Sequence, residues 1–168
     1  MPWLKQRQRN YGKSDCKHYC YFKFSTYQKI EHTSKSRGKS LYTTREVVEE
    51  IKFGIERGVT PDAEWGRINI LEMNSEETEL FYKLAEKLGK GEASCIAVAK
   101  TRGFKILTDD WDARRHAQKL SVPVSGTIGI LVLAVDKKIV TKEQGNHLLS
   151  EMIKMGFYSP VESLDEVL

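Results

Sequence analysis

The sequence predicts an α/β fold in which helices cover both faces of a central parallel sheet. Short strand-like segments alternate with segments whose apolar residues recur at helical spacing, and this alternation is typical of parallel sheets. Between residues 91 and 133, acidic side chains stand only at particular junctions of these segments. The 168 residues, 40% of them apolar, suffice for one domain with a sizeable core.

The predicted elements begin at Leu41, where a short strand leads into a helix that Thr44 caps and that ends near Gly58. Asn74 or Ser75 caps the next helix, whose apolar residues recur at helical spacing. That helix is expected to end at 89. Further strands are expected at 68–72, 104–108 and 122–124, and further helices at 92–102, 110–120, 127–137 and 142–155.

Residues 1–38 form a basic segment whose composition differs from that of residues 39–168. Residues 1–40 carry ten Lys and Arg side chains against two acids, a net charge of +8, and since the whole chain carries +4 the remainder carries −4. A basic arm binds polyanions such as RNA through phosphate contacts, although a solvated tail has the same composition. Only residues 18–24 resemble a strand, and the polar stretch after them is typical of disorder.

Cysteine content and hydropathy exclude several classes of protein. Three cysteines, an odd number, argue against a disulfide framework. Cys16, His18 and Cys20 alternate as zinc ligands on one strand face would, but a structural zinc site requires four ligands at wider spacing. No apolar run reaches the roughly 18 residues of a membrane span, and no secretory signal is recognisable. A cytoplasmic location without membrane contact is therefore expected.

Acidic residues on separate elements are predicted to meet at one edge of the sheet. A helix over 92–102 runs about 15 Å, and a strand over 104–109 returns about 16 Å. Glu92 therefore lies level with Asp109 and Asp110, which follow the strand. Open α/β sheets carry their functional sites at this edge.

Glu50, in the second turn of the helix after the first strand, and Asp112 are expected at the same edge. Crowded carboxylates repel one another, so at neutral pH they share protons or hold a cation. Oxygen donors without a converging His or Cys favour Mg²⁺ or Mn²⁺ over zinc, and such ions assist phosphodiester hydrolysis. Thr127 begins a helix at this edge, where its hydroxyl is suited to receive a phosphate or to orient a water molecule, or is a simple N-cap.

Four neighbours of these acids have two interpretations each. Arg114 and Arg115 have the charge to hold a phosphate, but solvated helix surface is the favoured interpretation. Trp111 is able to stack on a base, but a place in the core or at a hinge is favoured. His116 is interpreted as solvated and not as a general base.

Three motifs, in this order, resemble those of PIN domains, most closely the branch related to the VapC toxins of toxin–antitoxin pairs. They are Gly-Glu-Ala opening a helix at 91–93, Leu-Thr-Asp-Asp with Ala-Arg-Arg at 107–115, and Ser-Gly-Thr-Ile-Gly-Ile-Leu at 125–131. The similarity covers about residues 39–168, including a Gly-Phe-Tyr-Ser tail at 156–159.

The resemblance implies a three-layer α/β/α sandwich with the activity of a Mg²⁺- or Mn²⁺-dependent ribonuclease. The family's acid in Val-x-x-Glu corresponds to Glu50, its helix-opening acid to Glu92, and its Thr-x-Asp acid to Asp110. Asp112 matches a further acid whose spacing varies. Asp109 points away from its neighbour and is interpreted as the cap of the helix at 110–120.

The resemblance also implies partners. VapC-like proteins cleave RNA and are restrained by an antitoxin protein, and family members often form homodimers. Phe81, Leu84 and the C-terminal helix offer apolar surface for such pairing.

The beginning of the chain departs from the family pattern. PIN domains of this kind begin with an apolar strand that ends in Asp or Asn, whereas a polar stretch runs here to Lys39. Asp15 is a candidate for the missing metal-binding acid, although it precedes the strand-like residues 18–24 instead of ending them. Two further interpretations of residues 1–38 are a degenerate first strand and a reading-frame slip. Loss of a central strand would expose the edges of its neighbours.

Two other functions stay open. A degenerate, non-catalytic PIN-like module would bind RNA or a protein and leave RNA uncleaved. A doubly wound module for a small nucleotide is the weaker alternative, because no Gly-rich turn joins a strand to a helix.

Overall fold

The computed structural model of the protein describes residues 41–58 and 68–168. The interpretations made of residues 1–38, including the first strand and the metal ligand Asp15, lie outside the described residues. Within the described part, the elements follow one another in the predicted order of short strands and helices.

The described residues form a mixed α/β arrangement, which confirms the predicted fold class. The strands are β1 (Leu41–Thr44), β2 (Ile68–Leu71), β3 (Ile106–Leu107) and β4 (Val124–Ser125). The helices are α1 (Arg45–Glu56), α2 (Ser75–Ala85), α3 (Lys90–Arg102), α4 (Trp111–Lys119), α5 (Thr127–Asp136) and α6 (Lys142–Lys154), followed by a short 3₁₀ helix (Leu164–Glu166).

The strands pair in two parallel ladders. β1 pairs with β2 over four residues, with Leu41 opposite Ile68. β3 pairs with β4 over two residues, with Ile106 opposite Val124. Among the described residues no ladder joins β1 to β3, so the predicted single sheet is represented there by two separate pairs.

β3 is shorter than the predicted strand at 104–108 because its first residues complete the turn that ends α3. Gly103 has a left-handed backbone, with φ of +67°, and the amide of Phe104 donates to the carbonyl of Ala99 at 2.9 Å. The Phe104 ring stacks on the ring of Tyr42 in β1, with centroids 5.4 Å apart. These contacts set the point at which the chain enters β3.

The described residues divide into two compact units. The strand unit comprises 41–53 and 68–130 and contains all four strands. The helical unit comprises 54–58 and 131–168. Every described residue of the predicted site belongs to the strand unit.

Helix α3 is the centre of the strand unit. It packs against α2, α4, β1 and β3, and its Ala93, Ile96 and Ala97 side chains are fully buried. Small side chains on several sides of a helix allow neighbouring elements to approach closely, which explains why this helix shows no single apolar face. Packing on all sides fixes the direction in which Glu92, in the first turn, leaves the helix.

The opposite end of α3 is tied to α2 by an ion pair whose carboxylate is buried and whose guanidinium is partly exposed. Glu77 is fully buried, and its two carboxylate oxygens accept hydrogen bonds of 2.6 and 2.8 Å from Arg102. Glu77 also closes a capping box with Asn74, which decides between the two predicted caps of this helix. A buried carboxylate requires such a complete set of donors.

Helix α2 corrects the predicted dimer surface. Phe81 and Leu84 are 8% exposed and belong to the core of the strand unit, because α2 turns this face towards α3. Tyr82, the neighbour of Phe81, is instead 66% exposed.

The helical unit packs around α6. Leu149, Met152 and Leu164 are buried there, and Gly145 lets the Leu164 side chain approach the helix backbone. Asn146 accepts a hydrogen bond of 2.7 Å from the Leu164 amide and so fixes the chain end against α6. Among the described helices, none combines the length and the apolar character needed to span a membrane.

Candidate active site

Helix α1 carries Glu50 in its second turn, after β1. One carboxylate oxygen of Glu50 accepts a hydrogen bond of 3.0 Å from the amide of Gly91, at the beginning of α3. A Cβ atom on residue 91 would lie 2.6 Å from the other Glu50 oxygen and 3.0 Å from Val47 Cγ2. Glycine at position 91 therefore makes room for Glu50 beside α3, 41 residues along the chain.

Glu92, the next residue, turns back towards the beginning of its helix. Its Oε2 accepts a hydrogen bond of 3.3 Å from the amide of Gly89. The pKa of Glu92 is raised to about 7, first by burial and then by the charges of Asp110, Glu50 and Asp112, against the lowering effect of the Gly89 hydrogen bond. The negative field of three other carboxylates therefore reaches the Glu92 carboxyl group.

Asp110 and Asp112 stand at the beginning of α4. The Asp110 carboxylate caps this helix by accepting a hydrogen bond of 2.7 Å from the Ala113 amide, and its own amide donates to Thr108 Oγ1 at 3.1 Å. Asp110 and Asp112 are both exposed. The carboxylates thus face solvent close to the half-buried Glu92.

We refer to Glu50, Glu92, Asp110 and Asp112 as the acid group. Three of its members use carboxylate oxygens to accept backbone hydrogen bonds. Within residues 41–58 and 68–168, no three His, Cys, Asp or Glu side chains stand together as a group that could hold a metal ion. The acid group is a concentration of negative charge in which Glu50, Glu92 and Asp110 accept hydrogen bonds from backbone donors.

A second set of side chains lies beside the acid group and joins β3 to α5. The two carboxylate oxygens of Asp109 accept hydrogen bonds of 3.0 and 3.3 Å from the Thr127 amide, and Asp109 Oδ2 accepts one of 2.7 Å from the Thr127 hydroxyl. Thr127 is 4% exposed. We call these two residues, with Arg114 and Gly126, the cap cluster.

The comparison with protein families identifies the chain. The profile of the PIN-domain family matches residues 20–168. The chain belongs to the PIN-domain family. No curated protein and no solved structure matches it. PIN domains are generally nucleases and typically use divalent metal ions, so the family indicates a nucleic-acid substrate.

The cap cluster of this PIN domain corrects the interpretation of Asp109. Asp109 was expected to cap the helix at 110–120, but the cap of α4 is Asp110, and Asp109 binds the beginning of α5. The reason lies in the approach of the two strand ends, since β3 and β4 pair and bring Asp109 within reach of Thr127. The Thr127 hydroxyl is directed at Asp109, which gives it a role in holding these loops together.

Arg114 also belongs to this cluster, contrary to its interpretation as solvated surface. Its guanidinium donates to the Thr108 carbonyl at 2.9 Å and lies against Gly126. A Cβ atom at position 126 would overlap Asp109 Oδ1 and lie 2.9 Å from Arg114 Nη1. Glycine between β4 and α5 was the sequence signal for this close approach. Arg115 is exposed, as predicted.

Trp111 is 58% exposed, so it does not lie in the core, which was one of the two places expected for it. The core face of α4 is instead formed by Ala113 and Ala117, which are 1% and 0% exposed. The ring nitrogen Nδ1 of His116 lies 2.8 Å from the backbone oxygen of Asp112, so the imidazole is engaged with its own helix.

Two buried hydroxyl groups beneath the acid group were missed in the sequence. Thr44 Oγ1 lies 2.7 Å from Ser94 Oγ, and the Ser94 hydroxyl donates to the Gly91 carbonyl at 2.8 Å. Thr44 therefore directs its hydroxyl to α3, where it supports the turn that carries Glu92. Burial raises the pKa of the neighbouring Cys95 thiol to about 11, so this thiol stays protonated at neutral pH.

Proposed function

We propose that this PIN domain is a metal-dependent ribonuclease that hydrolyses RNA phosphodiesters at the acid group, and that it acts as the toxin of a toxin–antitoxin pair. The proposal rests on the environment of the Glu92 carboxyl group in this PIN domain. Burial and the charges of other acids raise the pKa of this group to about 7. Carboxylates with strongly raised pKa values cluster at functional sites.

The donors of the acid group fit Mg²⁺ or Mn²⁺. All are carboxylate oxygens, which these hard cations prefer, and a divalent cation relieves the repulsion that raises the pKa of Glu92. Glu50, Glu92, Asp110 and Asp112 would hold the metal, with Asp15 as an additional candidate. Binding requires that these side chains exchange backbone donors for the cation. When bound, the ion polarises the phosphodiester and lowers the pKa of water.

Residues next to the acid group hold its carboxylates in position. Gly91 and the hydroxyl groups of Thr44 and Ser94 hold the first turn of α3 next to Glu50. Thr127, through Asp109, anchors the loop that leads to Asp110. We assign Thr127 to this supporting role in catalysis.

Cleavage of single-stranded RNA by the purified full-length chain tests the proposal. We expect cleavage with Mg²⁺ or Mn²⁺, none with EDTA, and losses of at least about 100-fold in Asp110→Asn and Glu50→Gln. Glu49→Gln is the matched control, because Glu49 is exposed on the same helix and does not act on Glu92. RNA cleavage that persists in a variant lacking both Asp110 and Glu92 carboxylates would contradict the proposal.

A non-catalytic PIN domain that binds RNA or a protein is the second candidate. It is favoured by the absence of a ready three-ligand metal group among residues 41–58 and 68–168. Binding of RNA that is unaffected by metal ions, without cleavage under any metal condition, would support it.

The proposed toxin role and the proposed homodimer have separate tests. Expression of the chain should arrest bacterial growth, and Asp110→Asn should abolish the arrest, because the arrest depends on RNA cleavage. An antitoxin protein should restore growth by binding the toxin. Sedimentation of the purified chain tests the homodimer, for which Tyr82 offers exposed apolar surface.

A further inference from the structure

We propose that the outward face of α4 is a track for single-stranded RNA, in which Trp111 stacks on a base next to the cleaved bond while Arg115 and Lys119 bind the phosphates that follow. We call these three residues the α4 track. The inference rests on the proposed ribonuclease function and adds to it the path of the RNA strand across the protein surface.

The periodicity of α4 places the three residues of the track on one side. Ala113 and Ala117 form the buried side of the helix. Residues two positions away are rotated by about 200°, so Trp111, Arg115 and Lys119 lie on the opposite side. All three are exposed.

The track begins at the acid group. Trp111 is the first residue of α4 and stands between Asp110 and Asp112 in the chain. Successive members are four residues apart, so they follow one another at about 6 Å along the helix axis. An RNA strand lying on this side would therefore pass from the acid group to an aromatic ring and then to two cations.

The chemistry of the track matches a single-stranded nucleic acid. Proteins that bind such strands combine aromatic rings, on which bases stack, with cations that follow the backbone. Arg114 also lies near the beginning of α4, but its guanidinium donates a hydrogen bond to the Thr108 carbonyl. The exposed cations on the outward side of α4 are therefore Arg115 and Lys119. Their charge complements the phosphates that the acid group repels.

A nucleic acid fits the track better than a protein partner does. The buried core of a protein interface is depleted of charged residues such as Asp and Lys. The outward residues that surround Trp111 on α4 are polar or charged, namely Asp112, Arg115, Gln118 and Lys119. A single exposed indole between the acidic side chains at the beginning of α4 and the cations that follow is suited to one stacked base.

Fluorescence of Trp111 tests the stacking directly. Trp3→Phe and Trp65→Phe in the full-length chain leave Trp111 as the single indole, since the chain has three tryptophans. Titration with single-stranded oligouridylate in EDTA, where no cleavage occurs, should quench this fluorescence, and an abasic ribose-phosphate chain should quench it much less. Equal quenching by both would overturn the proposal.

Affinity measurements in EDTA test the energetic contribution of the track. Trp111→Ala should weaken oligouridylate binding about 10-fold, and Trp111→Phe less than about threefold, because phenylalanine also stacks. Tyr82→Ala is the matched control, since Tyr82 is similarly exposed on α2. Arg115→Gln and Lys119→Gln should each reduce the salt dependence of binding by about 0.7 in log–log slope, whereas Lys100→Gln should leave it unchanged.

The outcomes separate this inference from the proposed function. If the parent cleaves RNA while Trp111→Ala binds and cleaves equally well, the track is wrong and the ribonuclease stands. If the chain neither binds nor cleaves RNA, both are wrong. If Trp111→Ala changes sedimentation of the protein alone and not its RNA affinity, Trp111 is a protein contact and the track is wrong.

Discussion

The acid group and the cap cluster both contain carboxylates, but these carboxylates differ in the hydrogen-bond donors and charges around them. The Asp109 carboxylate accepts hydrogen bonds from the amide and the hydroxyl of Thr127, and these donors stabilise its charge. Glu92 accepts one long hydrogen bond, and its burial together with the charges of three other carboxylates raises its pKa to about 7. Of the adjacent aspartates, Asp109 accepts hydrogen bonds in the cap cluster, whereas Asp110 both caps α4 and adds its charge to the field at Glu92. The difference indicates which carboxylates stabilise the fold and which ones are available to a ligand.

The largest expected effect separates activity from stability at the acid group. Glu92→Gln should lower kcat/KM for RNA by at least about 100-fold, because one metal-binding oxygen is lost. The same variant should melt at an equal or higher temperature at pH 8, because it removes a repelled charge. Cleavage assays and thermal melts measure the two effects, and a variant that is both inactive and unfolded would place Glu92 with the structural carboxylates.

The cap cluster should respond in the opposite way. Asp109→Ala should lower the free energy of unfolding by about 2–3 kcal/mol, because the Thr127 amide and hydroxyl lose their partner while poorly hydrated. Asp112→Ala, a matched change at an exposed acid, should stay within about 0.5 kcal/mol. Urea denaturation gives both values. A double-mutant cycle with Thr127→Val should show coupling of about 1 kcal/mol or more.

Between pH 4.5 and 7, the pH dependence of stability should come mainly from the acid group. Unfolded Glu92 titrates near 4.5 and folded Glu92 near 7, so below pH 4.5 both states are protonated and no difference arises. As the pH rises from 4.5 to 7, only the unfolded state releases the proton, and stability falls by about 1–2 kcal/mol after solvent screening. Glu92→Gln should flatten this fall, and Mg²⁺ should stabilise the parent more at pH 8 than at pH 5. Identical melting profiles of parent and variant would argue against the raised pKa.

The smallest expected effect distinguishes the two adjacent arginines. Arg114→Gln should cost about 1 kcal/mol, because it removes the hydrogen bond to the Thr108 carbonyl at the edge of the cap cluster. Arg115→Gln should change the stability by less than about 0.5 kcal/mol, since that side chain is exposed. Chemical denaturation of the pair is the measurement, and equal losses would remove Arg114 from the cluster.

The sequence predicted the fold class and the order of the elements because these depend on local periodicity. Helix boundaries marked by strong signals, such as Gly103 after α3, agree with the structure. Strand lengths were less predictable, because β3 loses its first residues to the turn that ends α3. Strand pairing depends on segments distant in the chain, and propensity does not determine it.

The candidate site was predictable in outline, whereas the partner of each side chain was not. The helix and strand lengths predicted that Glu92 and Asp110 lie at one edge of the sheet, and the charge of Asp110 adds to burial in raising the pKa of Glu92. Adjacent aspartates look identical in a sequence, and only the approach of β4 decides that Asp109 meets Thr127. Trp111 was misassigned because the preference of tryptophan for the core is an average over many proteins, and α4 buries two alanines instead.

The ion pair that joins α2 to α3 adds a second pH dependence to the stability of the molecule, opposite in sign to that of Glu92. Arg102 lowers the pKa of Glu77 below 4.5, so this pair stabilises the fold above that pH and fails as acid protonates the carboxylate. A fall in pH therefore destabilises the contacts of Arg102 at the end of α3, and a rise in pH towards 7 destabilises the surroundings of Glu92 at its beginning. Mildly acidic buffer is the medium in which the metal-free protein should survive storage longest.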